Sequence, residues 1–304
     1  MPDTAVTLAG VTLKNPIVVA SGTFGFGREF SEYYPLSELG GICVKGLTVR
    51  PRPGNPSPRI AETPGGILNS VGLQNPGVDA FIQTELPWLR QQGTKIIANI
   101  SGNTLEEFEE LSEKVSGAGV DLIEVNISCP NVKSGGLAFG TLPESAAAAT
   151  RAVKSHASVP VMVKLSPNVT SIADIARAVE DAGADAISLI NTLLGMRIDL
   201  ASHRPILKNN TGGLSGPAVF PVAVRCVWQA AQAVSIPILG MGGVSTGAQA
   251  AELMMAGASA VAVGTANFTD PRAAIQIRDQ LTDWAAGQGI EALASLTGSL
   301  RIWE

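Results

Sequence analysis

Residues commonly recruited for metal binding and nucleophilic catalysis are scarce in this chain. Only two histidines occur in 304 residues, His156 and His203, and the pattern places one in a helix and the other in an insertion. No Asp/Glu/His cluster is available to hold a metal, and none is expected. The three cysteines, Cys43, Cys129 and Cys226, lie far apart. With no CxxC pair, neither a disulfide framework nor iron–sulfur spacing is present. No strand-like run is followed by G-x-G-x-x-G, so a dinucleotide-binding turn is not supported. No apolar run reaches the ~20 residues needed to cross a bilayer. The opening MPDTAVTLAG lacks a charged segment followed by an apolar stretch, so no signal peptide is expected and the location expected is cytoplasmic. The net charge is −5 and no basic block occurs, which argues against nucleic acid or an anionic membrane surface as partner.

What is present is apolar and punctuated. The chain is 45% hydrophobic and 15% charged, enough to bury a large core. Eight short apolar runs read as buried strands: Ile17–Ala20, Ile42–Lys45, Ile96–Ile100, Leu122–Ile127, Val161–Leu165, Ala186–Ile190, Ile236–Gly240 and Ala260–Gly264. Helix-like stretches lie between and after them, at Glu29–Leu39, Val78–Gln91, Leu105–Val115, Glu144–Ser155, Ile172–Asp181, Ala218–Ala233, Gly247–Met255 and Pro271–Trp284. AGVDLIEVN, AGADAISLIN and AGASAVAVGT repeat one design: a helix end, a glycine suited to a left-handed cap, then a buried strand. Eight such units predict a single (β/α)8 barrel domain over residues 1–304, with an open doubly wound sheet as the alternative. TAVTLAGVTLKNP alternates with period two about Ala9-Gly10, which predicts a hairpin capping the barrel bottom. Two long excursions rich in Pro, Gly and Asn, Thr48–Gly77 and Leu193–Gly216, read as functional loops.

In such a barrel the chemistry lies where strands pass into βα-loops. Here those ends carry Ser21, Lys45, Asn99, Asn126, Lys164, Asn191-Thr192, Gly242-Gly243 and Gly264-Thr265. A lone asparagine there is a turn former and a lone lysine a solvated side chain, but a whole rim of them points to a site. Amides offer donors and acceptors for a planar ring of alternating N–H and C=O groups. Lysines add positive charge for a carboxylate or an anionic reduced cofactor. The glycines after the last two strands, in GMGGV and VGTANF, suit a phosphate cradle. Glu124 points the same way as Asn126 and reads as an interior partner for a lysine. Cys43 and Cys226 read as inert buried thiols. Cys129 lies past a strand end in VNISCPNV, before Pro130. Two roles remain open for it on residues alone, a nucleophile lacking a well-placed histidine and a general base. VKSGGLAFG, residues 132–140, could close over a substrate.

VNISCPNVKSGG, NPIVVASGTFGFG, GNPSPRI with NSVGLQNPG, NTLLGMRID and GGLSGPA together resemble the dihydroorotate dehydrogenase family, in its NAD-linked bacterial class. The resemblance runs along essentially the whole chain, in order. It implies an FMN-containing (β/α)8 barrel that oxidises dihydroorotate to orotate in pyrimidine biosynthesis. It implies Cys129 as the base removing a proton from C5, with the C6 hydride going to the flavin. Substrate contacts are implied for Lys45, Asn69, Ser70, Val71, Gly72, Leu73, Asn126, Asn191 and Thr192. FMN contacts are implied for Ser21, Lys45, Gly46, Asn99, Asn126, Lys164, Ile190, Gly216, Gly242, Gly243, Gly264 and Thr265. It also implies a second subunit carrying FAD and an iron–sulfur cluster, in a two-plus-two heterotetramer, to pass electrons to NAD. The fumarate-linked homodimeric class is the alternative, disfavoured by VKSGG after SCPN. A membrane quinone-linked enzyme is disfavoured because that class carries serine where Cys129 stands. More distant alternatives are a barrel aldolase forming a Schiff base on Lys164 and a flavin-binding barrel without turnover.

Overall fold

The computed structural model describes residues 1–127 and 139–303. Its first elements are a hairpin of β1 (Val6–Leu8) and β2 (Val11–Leu13). Ala9 and Gly10 at its turn have φ of 51° and 78°, the left-handed pair that a two-residue hairpin turn requires. The chain then enters β3 (Ile17–Val19) and β4 (Gly41–Cys43). The hairpin therefore sits at the end of the barrel where strands begin. The first excursion holds β5 (Ile60–Thr63) and β6 (Gly66–Asn69), followed by the short helices α1 (Val78–Ala80) and α2 (Leu86–Leu89). Regular alternation follows: β7 (Lys95–Ile100), α3 (Leu105–Gly117), β8 (Leu122–Asn126), α4 (Pro143–Lys154), β9 (Val161–Lys164), α5 (Ile172–Asp181) and β10 (Ala186–Leu189). The second excursion contributes β11 (Leu193–Gly195), β12 (Ile198–Asp199), β13 (Arg204–Pro205) and β14 (Gly212–Ser215). The chain closes with α6 (Phe220–Ala231), β15 (Ile238–Met241), α7 (Gly247–Met255), β16 (Ala260–Val263), α8 (Ala266–Thr269) and α9 (Ala273–Gly287).

Strands β3, β4, β7, β8, β9, β10, β15 and β16 form a closed barrel. All eight pairings are parallel, and β16 returns to β3 through Val261 opposite Ile17. These are the eight strands expected, with ends shifted by a residue or two. They are apolar along their length because interior and helix-facing sides are both covered; Val18, Ile42, Ala98, Val163, Ile187 and Val261 have no exposed surface. The loops that lead into helices are set by capping. The side chains of Thr104, Ser171 and Thr246 accept hydrogen bonds from the backbone of Glu107, Asp174 and Gln249, each worth about 1 kcal/mol. At the other helix ends, Gly119, Gly183 and Gly257 have φ of 76°, 95° and 129°. Gly183 and Ala184 donate to Glu180 and Val179, and Gly257 and Ala258 to Met254 and Leu253. That double bond is the Schellman closure, and it explains the AG pairs at 182–183 and 256–257; at the third, Gly119 donates to Ser116.

Two expectations need correction. Glu29–Leu39 is no helix; it contains two single 3-10 turns, Phe30–Glu32 and Leu36–Glu38. Pro35 between them has no N–H to donate and holds an extended backbone. His156 lies just past the end of α4 rather than within it. The two excursions also do more than loop. They meet in one antiparallel sheet ordered β11-β14-β6-β5, with Gly213 opposite Asn69. Among the described residues, no helix is long and apolar enough to cross a membrane.

α7 approaches α9 through Gly247, where an added Cβ would lie 2.3 Å from the Leu281 nitrogen. Gly117, ending α3, faces open space. Gly247→Ala should therefore lower stability by about 1–3 kcal/mol through overpacking. Gly117→Ala should raise it by roughly 0.5–1 kcal/mol through lost chain entropy. Urea midpoints of the two variants check this; equal shifts would contradict the packing described.

Candidate functional site

A cavity of about 440 Å³ opens at the end of the barrel where the strands finish, between the strand ends and the sheet made by the excursions. Its wall includes Ser21, Lys45, Gly46, Asn69, Val71, Gly72, Leu73, Asn99, Asn126, Lys164, Ile190, Asn191, Thr192, Gly242, Gly243, Gly264 and Thr265. Two residues assigned by resemblance stand behind that wall. Ser70 is fully buried, and its N–H donates to the Arg59 carbonyl. Gly216 packs its carbonyl 2.5 Å from where a Cβ on Gly243 would sit. Cys129 and residues 132–138 of the segment expected to close over substrate lie outside the described residues.

Barrel register brings the polar strand ends together. Asn99 lies opposite Glu124 and Asn126 opposite Lys164, which is also opposite Ser188. Interior-facing positions on neighbouring strands thus form one polar layer beneath the cavity. Its centre is Glu124, with no exposed surface. Ser188 Oγ donates to Glu124 Oε1 at 2.7 Å. Asn99 Nδ2 donates to Oε2 at 2.6 Å, Cys43 Sγ at 3.0 Å and Ser21 Oγ at 3.5 Å. Lys164 Nζ stands 3.9 Å from the same oxygen, an ion pair beyond hydrogen-bond length.

A buried carboxylate ordinarily takes up a proton, since burial penalises its charged form. Here that penalty is outweighed by the Lys164 ammonium and by the hydrogen bonds from Cys43, Ser188 and Asn99, and the Glu124 pKa falls below the usual carboxylate value. Burial first, and the Glu124 charge second, push the Cys43 thiol up. Cys43 therefore stays protonated and serves as a donor. The reading of Glu124 as an interior partner for a lysine matches this geometry, as does that of Cys43 as unreactive. Cys226 on α6 is buried too.

Among the described residues, one polar atom of the layer has no partner. Asn99 Oδ1 is buried and accepts no hydrogen bond. Gly46 lies beside it, and a Cβ there would come within 2.8 Å of that oxygen. At the far end of the cavity, Gly264 leaves space: an added Cβ would meet only Ala20 and Thr23, at 3.6 and 3.9 Å. Thr265 Oγ1 donates to Ser215 Oγ at 2.9 Å, joining the second excursion to β16.

The upper wall is shaped by side chains that motif reading did not single out. Asn75 Oδ1 accepts from the backbone of Thr48 and Gly77, and its Nδ2 donates to the Leu73 carbonyl at 2.7 Å. This clamp holds the NSVGLQNPG turn, in which Gly72 and Leu73 both have positive φ. Asn168 donates to the Thr192 carbonyl at 2.9 Å and accepts from the Leu194 N–H at 2.9 Å. Arg59 adds a guanidinium to the cavity wall, held by the Asn55 carbonyl at 3.3 Å and by Gln74. Arg59 and Asn75 sit inside the quoted GNPSPRI and NSVGLQNPG; Asn168 follows Lys164 in SPN, a turn signal only. Among the described residues, no group of three or more His, Cys, Asp or Glu could hold a metal ion.

Comparison with known proteins bears on the family and the fold. Residues 4–284 match the family model described as dihydroorotate dehydrogenase. A protein of Geobacter sp. (strain M21), named as the catalytic subunit of dihydroorotate dehydrogenase B (NAD(+)), is 54% identical over 302 residues, covering 99% of each chain. One of the same name from Geobacillus kaustophilus is 61% identical over 268 residues, 88% of this chain and 86% of that one. A crystal structure of the Eimeria tenella enzyme in complex with ferulenol superposes with a TM-score of 0.81 at 23% identity, covering 98% of this chain and 89% of that one, which supports the fold. From the family model and the near full-length identity, this chain belongs to the dihydroorotate dehydrogenase family.

Proposed function

We propose that this chain is the catalytic subunit of an NAD-linked dihydroorotate dehydrogenase, acting in pyrimidine biosynthesis on dihydroorotate with bound FMN. The observation that carries the reading is one cavity, at the strand ends, lined by amides, two lysines and glycines. The relatives that share most of its length are named as such catalytic subunits.

The residues present fit the cofactor. Asn99 Oδ1 is a buried acceptor with no partner, suited to an N–H on a planar heterocycle. Lys164 supplies a cation beside it, which stabilises negative charge on a reduced ring. Gly242, Gly243 and Gly264 line the wall, where backbone N–H groups suit a phosphate. Bound there, FMN would supply the hydride acceptor that side chains cannot.

The chain's own groups divide the remaining work. Asn69, Asn126, Asn191 and Thr192 present donors and acceptors that match the cyclic imide of the substrate. Lys45 or Arg59 provides positive charge for its carboxylate. Cys129 takes the proton from C5, a role that rests on the SCPN motif and needs no histidine, because the thiolate removes a proton and attacks no carbon. Electrons then leave through a partner. The sequence has no cluster cysteines and no dinucleotide turn, so a subunit carrying FAD and an iron–sulfur cluster, in a two-plus-two assembly in the cytoplasm, completes the path to NAD.

Two outcomes check this reading. Cys129→Ala should keep FMN, read from visible absorbance, yet lose turnover by on the order of 10² or more; near wild-type turnover at neutral pH would remove Cys129 as the base. Purified alone, the chain should oxidise dihydroorotate with an artificial dye as acceptor and reduce NAD poorly. Adding the FAD/iron–sulfur subunit should restore NAD reduction. Efficient NAD reduction by the chain alone would contradict the two-subunit assembly, and rapid fumarate reduction would assign it to the homodimeric class.

A further inference from the structure

Glu124 does not line the cavity, yet it is bonded to residues that do. We propose that Glu124 is a positioning residue whose carboxylate sets which way the Asn99 amide faces and anchors the Lys164 ammonium, so that the cavity floor presents a carbonyl acceptor beside a cation. This pair matches the pyrimidine edge of a flavin, where an N–H lies between two carbonyls. The inference rests on the FMN reading above.

The first half follows from what an amide can offer. Asn99 has one donor end and one acceptor end, pointing in opposite directions. Its Nδ2 lies 2.6 Å from Glu124 Oε2. Reversing the amide would set two acceptors against each other at that distance, so an ionised Glu124 permits one orientation only. In that orientation Asn99 Oδ1 is buried and partnerless, in a residue that lines the cavity. A buried acceptor without a partner is costly, and a ligand N–H removes that cost. The orientation a ligand requires is therefore fixed before it binds.

The second half follows from distance and charge. Lys164 is held 3.9 Å from Oε2, close enough for attraction and too far to use an N–H on Glu124. Its donors stay available to the cavity while its position is restrained. The surrounding donors keep Glu124 ionised: Ser188 on one oxygen, Cys43 and Ser21 with Asn99 on the other. Cys43, which the reaction does not use, thus has a place as a thiol donor to this carboxylate. Glu124 and Lys164 cancel in charge, so the floor gains a net positive charge if Glu124 is neutralised. A positive floor stabilises a reduced, anionic ring relative to an oxidised one.

The test compares wild-type, Glu124→Gln, Asn99→Ala and the double variant, by titrating FMN into each apoprotein and by measuring the flavin midpoint potential of each holoprotein. Glu124→Gln should weaken FMN binding roughly tenfold, the scale of one charge-assisted hydrogen bond, and shift the potential in the positive direction. A merely structural role would not give that sign. The loss in affinity from Glu124→Gln should shrink in the Asn99→Ala background, because the two act in series. Ser188 bonds Glu124 and does not line the cavity. Ser188→Ala should therefore weaken FMN binding a few-fold, roughly one neutral hydrogen bond, even if Glu124→Gln fails to fold. Wild-type apoprotein that binds no FMN overturns the flavin reading and this inference with it. Wild-type binding with unchanged affinity and potential in Glu124→Gln, or unchanged affinity in Ser188→Ala where Glu124→Gln does not fold, overturns this inference alone.

Discussion

Closure of eight parallel strands into one ring is the constraint on which the rest depends. Parallel strands all finish at the same end, so every βα-loop of the barrel is delivered to one rim. Register then decides which rim residues are neighbours. The pairings of Asn99 with Glu124, and of Lys164 with Asn126 and Ser188, put polar groups from four strands into one layer. Each of these residues ends or interrupts an apolar strand, a placement that has no use in packing. Donors within the layer satisfy the Glu124 carboxylate, and the acceptor left over on Asn99 belongs to a residue of the cavity wall.

The polar layer also explains how an interior built for apolar packing tolerates charge. A carboxylate and an ammonium are buried together, with side-chain exposures of 0% and 6%, and an unpaired charge at either place would be costly. Two hydroxyls, a thiol and an amide supply the remaining donors to the carboxylate. The result is a neutral but strongly dipolar floor. Such a floor is preorganised, in that its dipoles are set before a ligand arrives and need not reorganise when charge develops. The glycines opposite answer a different need, bringing backbone close to whatever lies in the cavity.

Much of this was legible in the sequence, for physical reasons. Eight buried strands stand out as short apolar runs, and glycines in the left-handed region mark where three of the helices end. The polar strand ends were legible because Lys and Asn are out of place there, and sixteen of the residues read from those ends or from family motifs line the cavity alongside Lys45. What stayed hidden was nonlocal. Glu29–Leu39 has helical spacing, but Pro35 divides it into two turns. Each excursion forms local strand pairs, but the pairing that joins the two into one sheet links positions more than 140 apart, as with Asn69 and Gly213. Arg59 lies in the first excursion, and Asn168 in the loop after β9 reaches the site region by bonding Thr192 and Leu194, so the polar strand ends themselves announce neither. The direction in which Asn99 points depends on Glu124 of the neighbouring strand, a relation that no single segment contains.

Orotate formation is the most direct measure of the central claim. The purified chain, loaded with FMN and given dihydroorotate and an artificial acceptor, should be yellow and should produce one orotate for each two-electron reduction of the acceptor. A yellow protein that forms no orotate, or a colourless one that FMN cannot load, would contradict the account.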